Sequence, residues 1–412
     1  MKTEPQRFDM QAPPRKIKPY LKPVADLLSV FDVKSHKVKI TKTGVDGLKP
    51  PYLLLCNHNA FMDFKVATMA LRPVHPNYVV AIDGFIGREK LLRDVGCICK
   101  RKFTNDVTLV KQLIRVVRDN GVAAIYPEAR YSLCGTTAVL PKSLGKLVKL
   151  LKVPVVTLIC HGHHINAPFW NTKDRKVKGL EAELSLLYGA DGTAKLSVDE
   201  INDGINRRFV YDDYAWVKEK GIKITYKKRA EGLDKVLYQC CECGTEYRMA
   251  SSGDKLFCKS CGCSWRMLED GSLRSEKGDT RFPHIPDWYE WERQNVRREV
   301  LDGRYSSGTL DVTVRSLPNA DRFIELGRGT MIHDMNGFTV RGIDFDGDAF
   351  EMIKEVASLY SCHIEYNYLG KFGDCVDLNT NTDTWYIYPD GTDFSVTKMA
   401  LATEELFFAK ER

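Results

Sequence analysis

A histidine and an aspartate five residues apart, His58 and Asp63, give the first chemical signal in this 412-residue sequence. They follow the apolar run Tyr52-Leu53-Leu54-Leu55-Cys56, which predicts a short buried strand that ends in a polar turn. There an imidazole can take a proton from an attacking hydroxyl, while a carboxylate at its other nitrogen stabilises the imidazolium. Five residues span about 500° of α-helix, so the pair requires His58 in the turn and Asp63 in the first turn of a helix. Asn57 or Asn59 is the candidate cap of that helix.

Three further segments bring polar or charged groups to predicted strand ends. Gly96-Cys97-Ile98-Cys99-Lys100-Arg101-Lys102 indicates a short strand that ends in a cationic cluster. Residues 122–126 form an apolar strand, and Pro127-Glu128-Ala129-Arg130-Tyr131-Ser132 is the loop that leaves it. Residues 153–160, which begin Val-Pro-Val, indicate another buried strand.

With these four segments in this order, residues 50–210 resemble the glycerolipid acyltransferase family, typified by lysophosphatidic acid acyltransferase. That family carries N-H-x-x-x-x-D, G-x-I-x-x-x-R, F-P-E-G-T-R-S and V-P-V. The second segment departs from the family because Arg101 comes one residue early, with Lys102 at the family's arginine position. In the third segment Ala129 replaces the glycine, and Arg130 stands one residue nearer the glutamate.

The resemblance implies transfer of a fatty acyl group from an acyl thioester to a hydroxyl of a phosphate-bearing glycerolipid, with lysophosphatidate as the first candidate acceptor. The thioester donor is acyl-coenzyme A or acyl-carrier protein. His58 is then the base and Asp63 its orienting partner, and a positioned base contributes roughly 10²- to 10⁴-fold in rate. No cysteine or serine nucleophile is required, since the acyl group can pass directly between the two bound substrates.

The resemblance also implies a binding site for the acceptor's phosphate. Arg130 is its expected centre, because the planar fork of a guanidinium binds phosphate in a bidentate manner. Glu128 is expected to orient that arginine or to bind an acceptor hydroxyl. The helping cations are Lys100, Arg101 and Lys102.

The order of predicted elements favours an α/β domain with a largely parallel sheet over residues 1–230. Strands at 51–56, 77–82, 96–100, 122–126 and 153–160 alternate with helices near 61–71, 106–120 and 141–151. The loops that carry His58 and Glu128 then lie at one edge of the sheet. His161-Gly162-His163-His164 follows the last strand and is interpreted as a loop lining the substrate pocket rather than a metal cluster, since three such close histidines cannot easily face one ion.

Six cysteines between residues 236 and 268 predict a zinc ribbon. Cys240 and Cys243 form one C-x2-C pair, and Cys258 and Cys261 form a second pair after fourteen residues. So small a segment cannot bury enough surface to fold alone, so a structural zinc would contribute on the order of 10 kcal/mol or more. Cys241 and Cys263 are surplus to the four-thiolate set. The other cysteines do not form a disulfide pattern and suit a reducing cytosol.

Residues 300–412 predict a mostly-β domain closed by a helix at 395–410, which resembles a pleckstrin-homology-like barrel. Six strands are expected, near 309–314, 323–326, 337–340, 362–366, 375–378 and 384–388. Residues 344–348, Asp-Phe-Asp-Gly-Asp, predict a turn rather than a calcium loop, because the glycine and the distal glutamate of such a loop are misplaced. A helix at 288–299 bridges to this domain.

Charge is distributed unevenly along the chain. The net charge is +7, yet residues 301–412 hold ten Lys and Arg against nineteen Asp and Glu. The basic remainder favours an anionic partner such as a phospholipid surface, a phosphorylated substrate or coenzyme A. The acidic end favours a protein partner. Residues 17–31 are compatible with a short interfacial helix, so we expect a cytoplasmic protein that docks peripherally on an anionic membrane. No signal peptide is expected after Met1.

The competing hypothesis is a non-enzymatic binding or scaffold protein. In that case the basic surface and the zinc ribbon would engage nucleic acid or a protein assembly. This hypothesis leaves the segments around His58, Glu128 and Val153 without a role, and a nucleic-acid partner is therefore not expected.

Overall fold

The computed structural model describes residues 5–370 and 372–411. Residues 1–4, on which the expectation about a signal peptide partly rests, lie outside the described residues. The α-helices of the described part are α1 Lys22–Ser35, α2 Met62–Ala70, α3 Glu89–Asp94, α4 Val107–Arg118, α5 Ser143–Leu151, α6 His163–Asn166, α7 Ala190–Lys195, α8 Val198–Arg208, α9 Asp213–Glu219, α10 Ile285–Leu301 and α11 Val396–Glu411.

The strands form three sheets. The first contains β1 Lys39–Thr43, β2 Tyr52–Cys56, β3 Asn77–Ala81, β4 Ile98–Lys100, β5 Val122–Ile125, β6 Val155–His161 and β7 Glu181–Tyr188. The second contains β8 Met249–Ser252, β9 Lys255–Cys258, β10 Ser264–Met267 and β11 Leu273–Ser275. The third contains β12 Ser306–Ser316, β13 Ile324–Asp334, β14 Gly337–Ile343, β15 Ala349–Glu355, β16 His363–Glu365, β17 Cys375–Asn379 and β18 Thr384–Pro389.

The first sheet has the order β1-β7-β6-β2-β5-β3-β4, and its pairs are parallel except β6 with β7. Strand β2 lies between β5 and β6 and is buried along its whole length, which explains its unbroken apolar sequence. The predicted α/β organisation is confirmed. Because β2, β3, β4 and β5 run in one direction, the loops that leave them meet at the same edge of the sheet.

The second sheet is an antiparallel meander in the order β11-β10-β9-β8. The two C-x2-C pairs lie at its end, one before β8 and the other after β9. Its core is small, and Trp265 packs edge-to-face on Trp288 of α10 with ring centroids 4.8 Å apart. The second sheet is therefore packed on α10 rather than isolated.

The third sheet is antiparallel, in the order β15-β14-β13-β12-β18-β17-β16, and α11 follows its last strand. The β-rich C-terminal region is confirmed, whereas its assignment to the pleckstrin-homology-like class stays a prediction. Strand β15 was not predicted, because its sequence is rich in charge and mostly exposed. Residues 344–348 form the turn between β14 and β15, with backbone donors from Asp346 and Asp348 to the Asp344 carboxylate.

The C-terminal region packs directly on the first sheet. Arg101, which follows β4, is 1% exposed and donates to the carbonyl oxygens of Leu317 and Pro318 and to the hydroxyl of Thr384. Helix α11 is buried from Val396 to Leu406. Within the described residues, no helix has both the length and the apolar content needed to cross a bilayer.

Candidate active site

The side chain of Asn57, directly after β2, forms two hydrogen bonds with the backbone of β6. Asn57 is fully buried; its amide donates to the carbonyl of Cys160 on β6 at 2.9 Å and accepts from the Cys160 N–H at 2.8 Å. The two strand ends are thereby fixed to one another, and the next residue, His58, begins the turn before α2. His58 lies in this turn and Asp63 in the first turn of α2, the arrangement that the pair requires.

His58 and Asp63 approach one another at this turn. Nδ1 of His58 lies 3.5 Å from Oδ2 of Asp63, a close contact that is longer than a hydrogen bond. Nδ1 is buried although the side chain is 24% exposed, so the accessible part of the ring lies away from Nδ1. Catalytic hydrogen bonds are often long before substrate binds and tighten in the complex.

The carboxylate of Asp63 is fully buried and fixed by several donors. Oδ2 accepts the backbone N–H groups of Asn59 at 2.6 Å and Ala60 at 2.9 Å. The predicted cap by Asn57 or Asn59 is wrong, because Phe61 is the N-cap of α2 and no side chain caps the helix. Asp63 instead binds the N–H groups of the turn that precedes the helix.

A second histidine contacts Asp63 from the other side. Nδ1 of His163, in α6, lies 2.5 Å from Oδ1 of Asp63. Burial alone would raise the pKa of Asp63, but the interactions with His163 and His58 outweigh it and lower the pKa to about 2. Asp63 is therefore ionised at neutral pH between two imidazoles.

A glycine turn aims His163 at this carboxylate. Gly162 has φ +80°, and a Cβ there would come within 2.5 Å of the Trp216 ring, so both backbone and space require glycine. The buried carboxylate of Asp213 accepts the N–H groups of Gly162 at 2.8 Å and His164 at 2.9 Å. The turn after β6 is thus fixed from both ends.

The neighbouring histidines point elsewhere. His161 stacks on Trp216 and lies 3.9 Å from Glu183, while burial lowers the pKa of His164 to about 3. Asp63, Cys160 and His163 lie close enough for a metal ion. However, the 2.5 Å separation of the carboxylate and the imidazole is a hydrogen bond and is shorter than the spacing of two ligands around one ion. The segment contributes one imidazole to the site.

Two tyrosines enclose the His58 ring. The centroids of Tyr126 and Tyr131 each lie 4.3 Å from that of His58, at interplanar angles of 36° and 39°. Both come from the loop after β5. They restrict the rotation of the imidazole and give it apolar surroundings.

Glu128 lies between these tyrosines in sequence and faces the opposite way from Arg130. Its Oε2 accepts the backbone N–H of His58 at 2.6 Å, and Oε1 accepts that of Ala138 at 2.9 Å and lies 3.0 Å from the hydroxyl of Tyr211. The two side chains diverge at Ala129, whose φ of +55° is the left-handed conformation that glycine adopts more easily. Glu128 therefore positions the His58 backbone and does not contact Arg130.

Burial raises the pKa of Glu128 from 4.5 to about 7. A proton on Oε1 can be donated to the Tyr211 oxygen, which leaves the Tyr211 hydroxyl free to donate to Oδ1 of Asn59, 3.0 Å away. The protonated form thus satisfies every donor in this chain of groups.

The contacts of the four predicted phosphate-binding cations are with groups other than His58 and Asp63. Arg130 is buried and lies 2.5 Å from Oε1 of Glu404 on α11. Nζ of Lys102 lies 2.9 Å from the His363 ring and 3.6 Å from Asp377. Lys100 donates to the carbonyl of Thr104 at 3.4 Å. Arg101 is bound to the C-terminal region, as described above.

A comparison with protein families bears on the first sheet. The family model Acyltransferase matches residues 33–161, which overlap the region of resemblance but begin and end earlier. This part of the chain is therefore acyltransferase-like. A search of curated protein sequences finds no match. Among solved structures, the 1-acyl-sn-glycerophosphate acyltransferase of Thermotoga maritima is similar with a TM-score of 0.37 and 12% identity, over 46% of this chain and 77% of that one.

We predict that Glu128→Gln removes a pH dependence of stability. Because the folded pKa of about 7 lies above the ordinary value of 4.5, folding favours the protonated carboxyl, and its contribution is lost as pH rises between these values. From pH 5 to pH 8 the free energy of unfolding of the natural chain should therefore fall by about 2–3 kcal/mol relative to the variant. Chemical denaturation at both pH values measures this difference. Equal slopes in the two proteins would show that Glu128 is ionised throughout.

Proposed function

We propose that this protein transfers a fatty acyl group from an acyl thioester to a hydroxyl of a glycerolipid. The single observation that carries the proposal is the ionised, fully buried Asp63 beside the partly exposed His58, within a domain that matches the acyltransferase family. A fixed carboxylate of this kind orients an imidazole and stabilises its protonated form. The thioester donor is acyl-coenzyme A or acyl-carrier protein.

The proposed reaction has two steps, and His58 accepts a proton in the first and returns it in the second. With the Nδ1–H of His58 directed at Asp63, Nε2 accepts the proton of the acceptor hydroxyl as its oxygen attacks the thioester carbonyl. The tetrahedral intermediate then collapses, the carbon–sulfur bond breaks, and the thiolate takes the proton from the imidazolium. The ester and a free thiol are the products. Tyr126 and Tyr131 hold the ring in place during both transfers.

We predict that His58→Ala lowers kcat by at least ~10²-fold while the protein remains folded. A radiolabelled acyl-transfer assay with both thioester donors measures the effect. His284→Gln is the matched control, because His284 is similarly exposed and pairs with Asp212 and Asp287 away from the site. Activity of His58→Ala within a few-fold of the natural chain would refute the proposed role. Absence of transfer to every acceptor would favour the non-enzymatic alternative.

The acceptor class has two candidates. Family resemblance suggests lysophosphatidate, which requires a cation able to contact its phosphate. A glycerolipid without phosphate requires only the hydroxyl and an apolar surface. Whether Arg130 and Lys102 are available to a phosphate distinguishes the two candidates.

We further propose that α1 docks on a lipid surface. Its outward side chains recur at three- and four-residue spacing along one face, while Ser29 and Val33 face the protein. Each of these outward side chains is at least half exposed: Val24, Leu27, Leu28 and Phe31, with Tyr20 just before the helix. Phe61, 64% exposed and three residues after His58, continues the apolar surface to α2, against which α1 packs. A lipid acceptor could thus reach His58 from the bilayer.

Replacing Leu27 and Phe31 with serine should weaken binding to vesicles by at least ~10-fold, since each residue loses the free energy of apolar burial in the interface. Co-sedimentation with vesicles of neutral lipid, with and without anionic lipid, measures the affinity. The control is Val107→Ser with Val210→Ser, two equally exposed apolar side chains elsewhere on the surface. An unchanged affinity of the α1 variant, or an equal loss in the control, would refute docking through this helix.

Cys240, Cys243, Cys258 and Cys261 are proposed to hold one structural zinc ion. The sulfurs of Cys240 and Cys261 lie 3.7 Å apart and those of Cys243 and Cys258 3.8 Å apart. Tetrahedral zinc–thiolate bonds of about 2.3 Å require sulfur separations of about 3.8 Å, so the four residues fit the ion. The two knuckles are alike, since the N–H groups of Gly244 and Gly262 donate to the carbonyls of Cys240 and Cys258, respectively.

One zinc ion per chain is expected, with sulfur distances of about 2.3 Å by X-ray absorption. Cys243→Ser should lower metal content and melting temperature, with activity kept in the folded fraction, because the site is closed to substrate. Cys263→Ser is the control, since Cys263 lies outside the four-thiolate set. A metal-free protein of equal stability would refute the zinc site.

A further inference from the structure

We propose that Glu404 and Asp377 determine acceptor specificity and select a glycerolipid without a phosphate group. Glu404 pairs with Arg130, one residue before the family's arginine position in the third segment, and Asp377 pairs with Lys102, at the family's arginine position in the second segment. The expected acceptor class is a neutral one, such as a monoacylglycerol. This inference rests on the proposed acyl transfer and names its substrate class.

Glu404 neutralises Arg130 inside the protein. The Arg130 side chain is 3% exposed and that of Glu404 fully buried, with Nη2 and Oε1 2.5 Å apart. Oε1 also accepts the hydroxyl of Ser361 at 2.7 Å, and Oε2 lies 2.7 Å from Nη2 of Arg293. The second amino group of Arg130, Nη1, is buried as well and has no hydrogen-bond partner among the described residues. The guanidinium is thus enclosed with Glu404.

The ionisation of this carboxyl group is consistent with a permanent pair. Burial alone would raise the pKa of Glu404, but Arg130 and Arg293 outweigh burial and lower it. The carboxylate thus stands where a phosphate oxygen of the acceptor would be expected to meet Arg130.

Asp377 forms an ion pair with Lys102. Nζ of Lys102, at the family's arginine position, lies 3.6 Å from Asp377 and 3.6 Å from Asp83. His363 completes the surroundings; its Nδ1 is 2.7 Å from Asp377. The Asp377 side chain is 1% exposed and that of Lys102 is 14% exposed, so this cation is mostly, though not fully, buried.

Glu404 lies on α11 and Asp377 on β17, and both elements are part of the protein core. Every residue of α11 from Val396 to Leu406 is buried, and β17, which carries Asp377, is buried along its length. Releasing Arg130 or Lys102 would require exposure of this core and would leave charges unpaired in the interior, which is strongly unfavourable. The two pairs therefore belong to the working form of the protein.

A phosphorylated acceptor is disfavoured by these contacts. Its dianion would lose water without gaining a contact with Arg130 or Lys102, and desolvation without a partner opposes binding. A neutral acceptor avoids this desolvation cost. Its surroundings at His58 are the rings of Tyr126 and Tyr131, and these aromatic groups suit an uncharged lipid.

The test compares kcat/KM for a monoacylglycerol and a lysophosphatidate of the same acyl chain, in the same mixed micelles, with the full chain and both thioester donors. The natural protein should prefer the monoacylglycerol by at least ~10-fold, because discrimination follows the unpaired charge of the phosphate. Glu404→Gln keeps the shape but removes the charge. Arg130 stays enclosed in this variant, but its charge has lost its carboxylate partner and should attract the phosphate through space rather than by contact. The ratio should therefore shift toward lysophosphatidate by about 10-fold, mainly through the KM of that acceptor.

Glu405→Gln is the matched control, because Glu405 is the next residue of α11 and pairs with Arg293 and Arg297 but not Arg130. Its ratio should equal that of the natural chain. If Glu404→Gln does not fold, Asp377→Asn tests the same shift at Lys102. Preference of the natural chain for lysophosphatidate, or equal shifts in test and control variants, overturns the inference and leaves acyl transfer intact. No transfer to either acceptor removes the proposed function and this inference with it.

Discussion

Pairing between cations around the first sheet and carboxylates of the last 112 residues links the two parts of the chain. Arg130 meets Glu404 in a fully enclosed pair, and Lys102, 14% exposed, meets the buried Asp377. Removal of one member of such a buried pair typically costs about 3–5 kcal/mol, because the other charge is left without a partner. The opposite net charges of the two ends of the chain, read in the sequence as a sign of external partners, are to a considerable extent satisfied within the chain itself.

One short loop connects the Arg130–Glu404 pair to the surroundings of His58. Between β5 and α5, Tyr126 and Tyr131 enclose His58, Glu128 holds its backbone N–H, and Arg130 anchors the loop to α11. The left-handed Ala129 lets neighbouring side chains point to opposite sides, one toward the base and one toward the C-terminal region. Docking of the C-terminal region and placement of His58, the proposed base, are therefore linked through this loop. The proposed acyl transfer would require precise placement of that base.

Sequence reasoning succeeded where the signal is local. The alternating elements and the turn-and-helix arrangement of His58 and Asp63 each depend on residues a few positions apart. It could not find His163 as a partner of Asp63, since the two are 100 residues apart and meet only through the pairing of β2 with β6. The Arg130–Glu404 pair, 274 residues apart, was inaccessible for the same reason. One sequence feature bears on the opposite directions of Glu128 and Arg130: Ala129 stands between them, where the family has glycine.

The double role of Asp63 explains how the site can be rigid and still act. Its Oδ1 is bound by His163 and its Oδ2 by two backbone donors, so the carboxylate cannot rotate away. His58 is the partner of Asp63 that stands slightly apart, at 3.5 Å, and a contact of this length can tighten when an acceptor hydroxyl binds. A carboxylate fixed before the reaction costs no reorganisation as charge develops on the imidazole. We infer that His163 fixes the Asp63 carboxylate in the orientation that His58 requires.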